Sequence, residues 1–103
     1  MPKDSFFVSR TFYLKGDQNQ KIVIQLSVPK VYHANGDYKC EFKISGGEDF
    51  EAIEFFGVGV DSLAAFFNAL VMAKAHIEVI NKKNFSGNLR WLNDQSFDLG
   101  LGF

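Results

Sequence analysis

The sequence predicts an α+β domain: an antiparallel meander of four strands, or of five, packed on one long α-helix. Three observations carry this. Apolar and polar residues alternate with a period of two in runs between residues 6 and 58. Turn-forming residues (GDQNQ, Asn35-Gly36 and Gly46-Gly47) separate those runs. The stretch from Asp61 to Lys83 is the one long segment whose apolar residues recur at helical spacing.

The first run, FFVSRTFYLK from Phe6 to Lys15, sets Phe6, Val8, Phe12 and Leu14 on one face with Arg10. Phe7, Ser9, Thr11, Tyr13 and Lys15 fall on the other, as in a half-buried strand. GDQNQ reads as a turn, and a second strand follows from Lys21 to Val28, with Ile22, Ile24, Leu26 and Val28 sharing a face. The short link predicts an antiparallel hairpin. Pro29 removes a ladder donor and ends the strand. A loop through Asn35-Gly36 leads to the third strand, Tyr38 to Ser45, where Tyr38, Cys40, Phe42 and Ile44 point one way and Lys39, Glu41, Lys43 and Ser45 the other. The fourth strand, Glu51 to Val58, has Ile53 and Phe55 inward and Glu54 outward; Gly57 and Gly59 loosen it before the helix.

Asp61 is a suitable N-cap, because its carboxylate can accept from the free amides of the first turn. The expected core stripe is Leu63, Phe66, Leu70, Ala73, Ile77 and Ile80, on a helix about 34 Å long. From Leu63 to Ala73 only Asn68 is polar, so this half needs more cover than one sheet gives. Lys82 and Lys83 suit a helix end. Asn88 to Leu92 reads as the fifth strand or an extended segment. Phe97, Leu99, Leu101 and Phe103, at spacing two, are expected to fold back over the helix or a sheet edge.

One domain of 103 residues is long enough for a single core, and its 12 phenylalanines supply much of the area to bury. A net charge of -1 gives no overall attraction to nucleic acid or to an anionic membrane. The basic residues are scattered singly apart from Lys82-Lys83, which argues against a nucleic-acid partner. A single cysteine, Cys40, allows no internal disulfide. The N-terminal residues do not read as a signal peptide, and the helix carries Asn68, Lys74, His76 and Glu78, which argues against a membrane span. A cytoplasmic protein is expected.

No catalytic constellation is legible, and an enzyme is not expected. His33 and His76 lack the close ligand pairs of a zinc site, so neither a metal nor another cofactor is expected. Cys40 falls on an apolar strand face, where a thiol behaves as a small hydrophobe rather than a nucleophile. Gly57-Val58-Gly59 before a helix resembles a phosphate loop, but the third glycine position holds Ser62, and Asp61 puts negative charge where phosphate would sit. Charge distribution is more informative. From Ile44 to Ala73 there is no Lys or Arg, while Glu48, Asp49, Glu51 and Glu54 cluster in one turn and strand. Read one way this is a solvated hairpin; read the other, it is an acidic patch that docks a basic protein surface. Asp94 and Asp98 extend the patch if the C-terminal segment lies nearby. The apolar helix half and a free strand edge leave a homodimer open.

The helix start Gly59-Val60-Asp61-Ser62-Leu63-Ala64-Ala65, the segment Leu89-Arg90-Trp91-Leu92, the ending Leu101-Gly102-Phe103 and the strand Tyr38-x-Cys40-x-Phe42-x-Ile44-Ser45-Gly46 resemble a widespread uncharacterised family of small bacterial proteins. That resemblance implies a four-stranded sheet with a long helix. Each of these motifs is a cap, an aromatic anchor or a packing residue, and none is catalytic. By type the chain is similar to immunity proteins, which neutralise toxins delivered by neighbouring cells in contact-dependent growth inhibition, often nucleases with basic clefts. The expected function is therefore that of a toxin-binding immunity protein, with Glu48, Asp49, Glu51 and Glu54 as contacts. The alternative is a small-molecule or regulatory domain with a Phe-lined pocket between helix and sheet.

Overall fold

A computed structural model describes residues 6–14, 17–32, 36–46 and 51–91. The elements run β1 (Phe6–Leu14), β2 (Asp17–Ser27), β3 (Lys30–Val31), β4 (Tyr38–Ser45), β5 (Ile53–Gly59), α1 (Ser62–Asn84) and β6 (Leu89–Trp91). All strand pairs are antiparallel. β3 and β5 both pair with β4 across Tyr38 and Lys39, so they lie on opposite sides of it. β3 therefore continues β2 past a kink, and the sheet is five strands wide in the order β6-β1-β2-β4-β5. The meander read from the sequence is present, and β6 joins its far side against β1.

The kink is built from side-chain chemistry. Leu26 pairs with Phe42 but Lys30 pairs with Lys39, so one extra residue is inserted on the β2–β3 side. Pro29 lies in that insertion. Ser27, buried, accepts from the Glu41 amide at 2.9 Å and donates to the Val28 carbonyl at 3.1 Å. The Cys40 thiol donates to the Ser27 carbonyl at 3.3 Å. These bonds satisfy polar groups where the ladder is interrupted.

Two strand expectations are corrected. GDQNQ was expected to be a turn, but β2 already begins at Asp17, which faces Leu14 across a register irregularity. Pairing with β1 overrides the weak strand preference of Asp17–Gln20. Phe7 was expected on the face away from the helix, yet its ring lies 6.5 Å from that of Phe66 on α1. A register shift between Phe6 and Val8 resets the alternation at that point.

The helix starts and stops as its residues dictate. Asp61 Oδ1 accepts from the Ala64 amide at 2.7 Å. At the other end the Phe85 and Gly87 amides donate to the Asn81 carbonyl, and the Asn81 side chain accepts from the Leu89 amide at 3.0 Å, which aims the chain into β6.

The buried stripe differs from the expected one. It runs Ala65, Ala69, Ala73, Ile77 and Ile80, while Leu63 is 74% exposed and Phe66 and Leu70 are half-buried. The cause lies in β5. A Cβ on Gly57 would meet the Ala69 main chain, with Ala69 Cα and Asn68 C both at 2.8 Å. One on Gly59 would stand 2.6 Å from Ala64 C. The glycines and alanines bring the helix backbone directly onto the strand. Leu63 sits two residues before Ala65, about 200° round the helix from it, and so faces away. Phe12, Ile22, Ile24 and Leu26 of β1 and β2, and Cys40, Phe42 and Ile44 of β4, complete the core with Phe85 and Leu89. The covering role expected of Phe97, Leu99, Leu101 and Phe103 lies outside the described residues.

By length and composition alone, α1 is apolar enough to cross a membrane, a test that the core helix of a soluble protein also passes. Here its alanine ridge is docked on the sheet.

Candidate binding surface

The margin of the sheet at β5 gathers the features that chemistry can use. Period and pairing give each residue its face. Phe42 and Phe55 are cross-strand partners on the helix side; Lys43 and Glu54 are partners on the outer side. Phe55 was expected in the core beneath the helix, and this is corrected: it is 51% exposed. The helix lies close over Gly57 and Gly59, further along the same face, and leaves Phe55 incompletely covered.

Glu54, adjoining it in the strand, and Glu51, four residues before it in the sequence, are both exposed. Glu54 Oε1 stands 3.9 Å from Lys43 Nζ, a loose surface pair. The segment free of basic residues is thus answered by lysines on the neighbouring strand. On the outer face Lys39 Nζ also lies 5.1 Å from the ring centroids of both Tyr32 and Phe56, whose rings are 5.4 Å apart. Glu48, Asp49, Asp94 and Asp98 lie outside the described residues.

Past Phe55 the margin is closed differently. Asn68, the lone polar residue from Leu63 to Ala73, donates its side-chain amide to the Val58 carbonyl at 2.7 Å. It ties the helix to the edge strand and satisfies a main-chain acceptor there.

The remaining candidates are packing groups. Cys40 is buried, and burial pushes its thiol pKa up, against the opposing effect of its hydrogen bonds with Ser27. A raised pKa keeps it a thiol rather than a nucleophilic thiolate. His76 is half-buried, with its ring 5.9 Å from that of Phe42. His33 lies outside the described residues. Among the described residues, no three His, Cys, Asp or Glu side chains come together as a metal site.

One cleft opens between the helix start and the kinked strands. It holds about 500 Å³ and is lined by Phe7, Val28, Pro29, Ser62, Leu63 and Phe66. Its lining is apolar apart from Ser62. Beyond a helix-to-sheet pocket in general terms, nothing in the residue pattern marks it, because it depends on the reset of alternation at Phe7 and the kink at Pro29.

Neither a curated protein nor a solved structure matches the chain. The family described as "Domain of unknown function (DUF6968)" matches residues 8–103. With nearly its whole length matched, the chain belongs to this DUF6968 family.

Proposed function

We propose that this chain acts by binding another protein, as an immunity protein that neutralises a cognate toxin in the cytoplasm by occluding its surface. One observation carries the reading: the aromatic ring of Phe55 stands half-exposed at the sheet margin, with exposed Glu54 adjoining it in β5 and exposed Glu51 four residues before it in the sequence. An aromatic anchor with charged residues at its rim is the usual make-up of a protein-binding hot spot. The acidic rim favours a basic surface, such as the cleft of a nuclease. Glu48 and Asp49 precede these residues in the sequence and belong to the same proposed contact set; Asp94 and Asp98 are its proposed extension.

The test is co-expression with the protein encoded beside this chain. Protection of the cells, with a stable complex on purification, supports the reading. Unprotected cells with no complex would sink it. Reversing charge at Glu51 and Glu54 then tests the rim. Weaker binding and a lower salt dependence are expected, and unchanged values for both would remove the acidic contacts from the account.

The apolar cleft favours a second reading, a small-molecule-binding domain. Its lining by Phe7, Leu63 and Phe66 suits an apolar ligand. A thermal-shift screen separates the two, since a ligand that binds only the folded chain raises its melting temperature.

A further inference from the structure

The geometry points to β5 as a strand-addition edge: the partner docks by laying an extended, basic segment of its own chain against Ile53–Phe56. This rests on the protein-binding reading above and names how that partner is held.

Among the described residues β5 pairs only with β4, and no described strand pairs with its other side. In an antiparallel ladder, a residue that does not exchange bonds with its neighbour turns both its N–H and its C=O to the far side, and such residues alternate. The Val58 carbonyl is taken by the side chain of Asn68, which sets Val58 among the outward-facing residues. By the same alternation the main chains of Glu54 and Phe56 also face outward. Among the described residues the edge is therefore occupied at its Val58 end and unpaired at its Glu54 end. Exposed Glu54 and exposed Phe55 stand at that unpaired end, the Phe55 ring 5.3 Å from that of Phe56, and exposed Glu51 comes just before them in the sequence.

An incoming strand would make main-chain bonds to Glu54 and Phe56. Its side chains alternate between the two faces. Those on the helix side meet Phe55 and are apolar; those on the outer side meet Glu54 and are Lys or Arg. β5 itself has no Lys or Arg, and Glu54, held only loosely at 3.9 Å by Lys43 on the neighbouring strand, keeps an exposed carboxylate for a basic side chain on the incoming strand. Main-chain bonding supplies affinity and the alternating side chains supply selectivity, as in other complexes formed by strand addition.

The experiment compares the wild type with Glu54→Pro and Glu54→Gln, using the protein encoded beside this chain as the probe. Proline removes the outward N–H while sparing the ladder to β4, and glutamine removes only the charge. Glu54→Pro is expected to weaken the complex roughly tenfold or more. Glu54→Gln should weaken it about two- to threefold and lower its salt dependence. Hydrogen exchange on the wild type should show the Glu54 and Phe56 amides slowed only in the complex. Should Glu54→Pro not fold, that footprint decides alone. A complex that forms with both amides still exchanging freely, or equally well with Glu54→Pro, overturns strand addition and leaves the protein-binding reading standing. No complex with the wild type removes both. Amides already slow in the free chain, at dilutions where it is monomeric, show the edge covered from within. Amides slowed only as the free chain is concentrated show a second copy on it. Either result also overturns the proposal.

Discussion

Replacing Gly57 by alanine should lift the helix off the sheet. The added Cβ would stand 2.8 Å from both Ala69 Cα and Asn68 C. Carbon atoms in contact settle at about 3.5–4.0 Å, so α1 must retreat by roughly 1 Å. The obstruction is main chain on both sides, and no rotamer change relieves it. Overpacking of this kind costs about 1–3 kcal/mol. The gain from restricting the unfolded chain offsets about 0.4–1 kcal/mol of that. The expected net loss is about 1–2 kcal/mol, read as a lower urea midpoint with an unchanged slope. Adding Ala69→Gly should not restore stability, because the Cβ of Ala69 is not what Gly57→Ala strikes. Gly59→Ala should behave in the same way, except that Ala64→Gly relieves part of it, since the Ala64 Cβ also lies 2.6 Å from the new atom. A Gly57→Ala chain as stable as the wild type, or a full rescue by Ala69→Gly, would refute backbone-on-backbone docking.

Two further predictions concern the kink. Ser27→Ala leaves the part-buried Glu41 amide without its 2.9 Å acceptor, and is expected to cost about 1 kcal/mol or more in urea unfolding. Cys40 has its pKa raised in the fold by burial, so the unfolded thiol ionises first. Its contribution is fully present below the ordinary thiol range and is lost as pH rises through that range toward the raised folded value. Unfolding measured from neutral to alkaline pH should therefore show a decline that is shallower in Cys40→Ala than in the wild type.

The fold was legible because its signals are local. Period-two runs, a capped helix and turn residues each specify their own element, and a meander needs only short links to join them. The strand Tyr38–Ser45 reads identically in sequence and structure because one face is apolar and the other polar throughout. The helix stripe differs from expectation because apolar size is a poor guide to burial where two backbones meet. At a helix-to-strand contact built on Gly57 and Gly59, closeness selects small residues, so alanines go in and Leu63 stays out. That signal was present: glycines two apart on a strand, followed by alanines four apart on a helix. The misplacement of Phe55 follows from the same error. The acidic residues were legible as a run, but Lys43, which stands opposite Glu54, comes from a strand paired only in three dimensions. Phe7 and the cleft depend on breaks in the alternation, and period-two reading assumes none.

The most direct measurement is the affinity of the purified chain for the protein encoded beside it, by titration calorimetry, with wild type and Phe55→Ala compared. Phe55→Ala should fold normally, since its ring is half-exposed. Its removal from the centre of the contact should cost about 2 kcal/mol or more, roughly a thirtyfold loss of affinity. Binding of the wild type with that loss is the result the account predicts. Equal affinity for both chains would remove the sheet margin from the interface, and no binding by the wild type would contradict the proposed function itself.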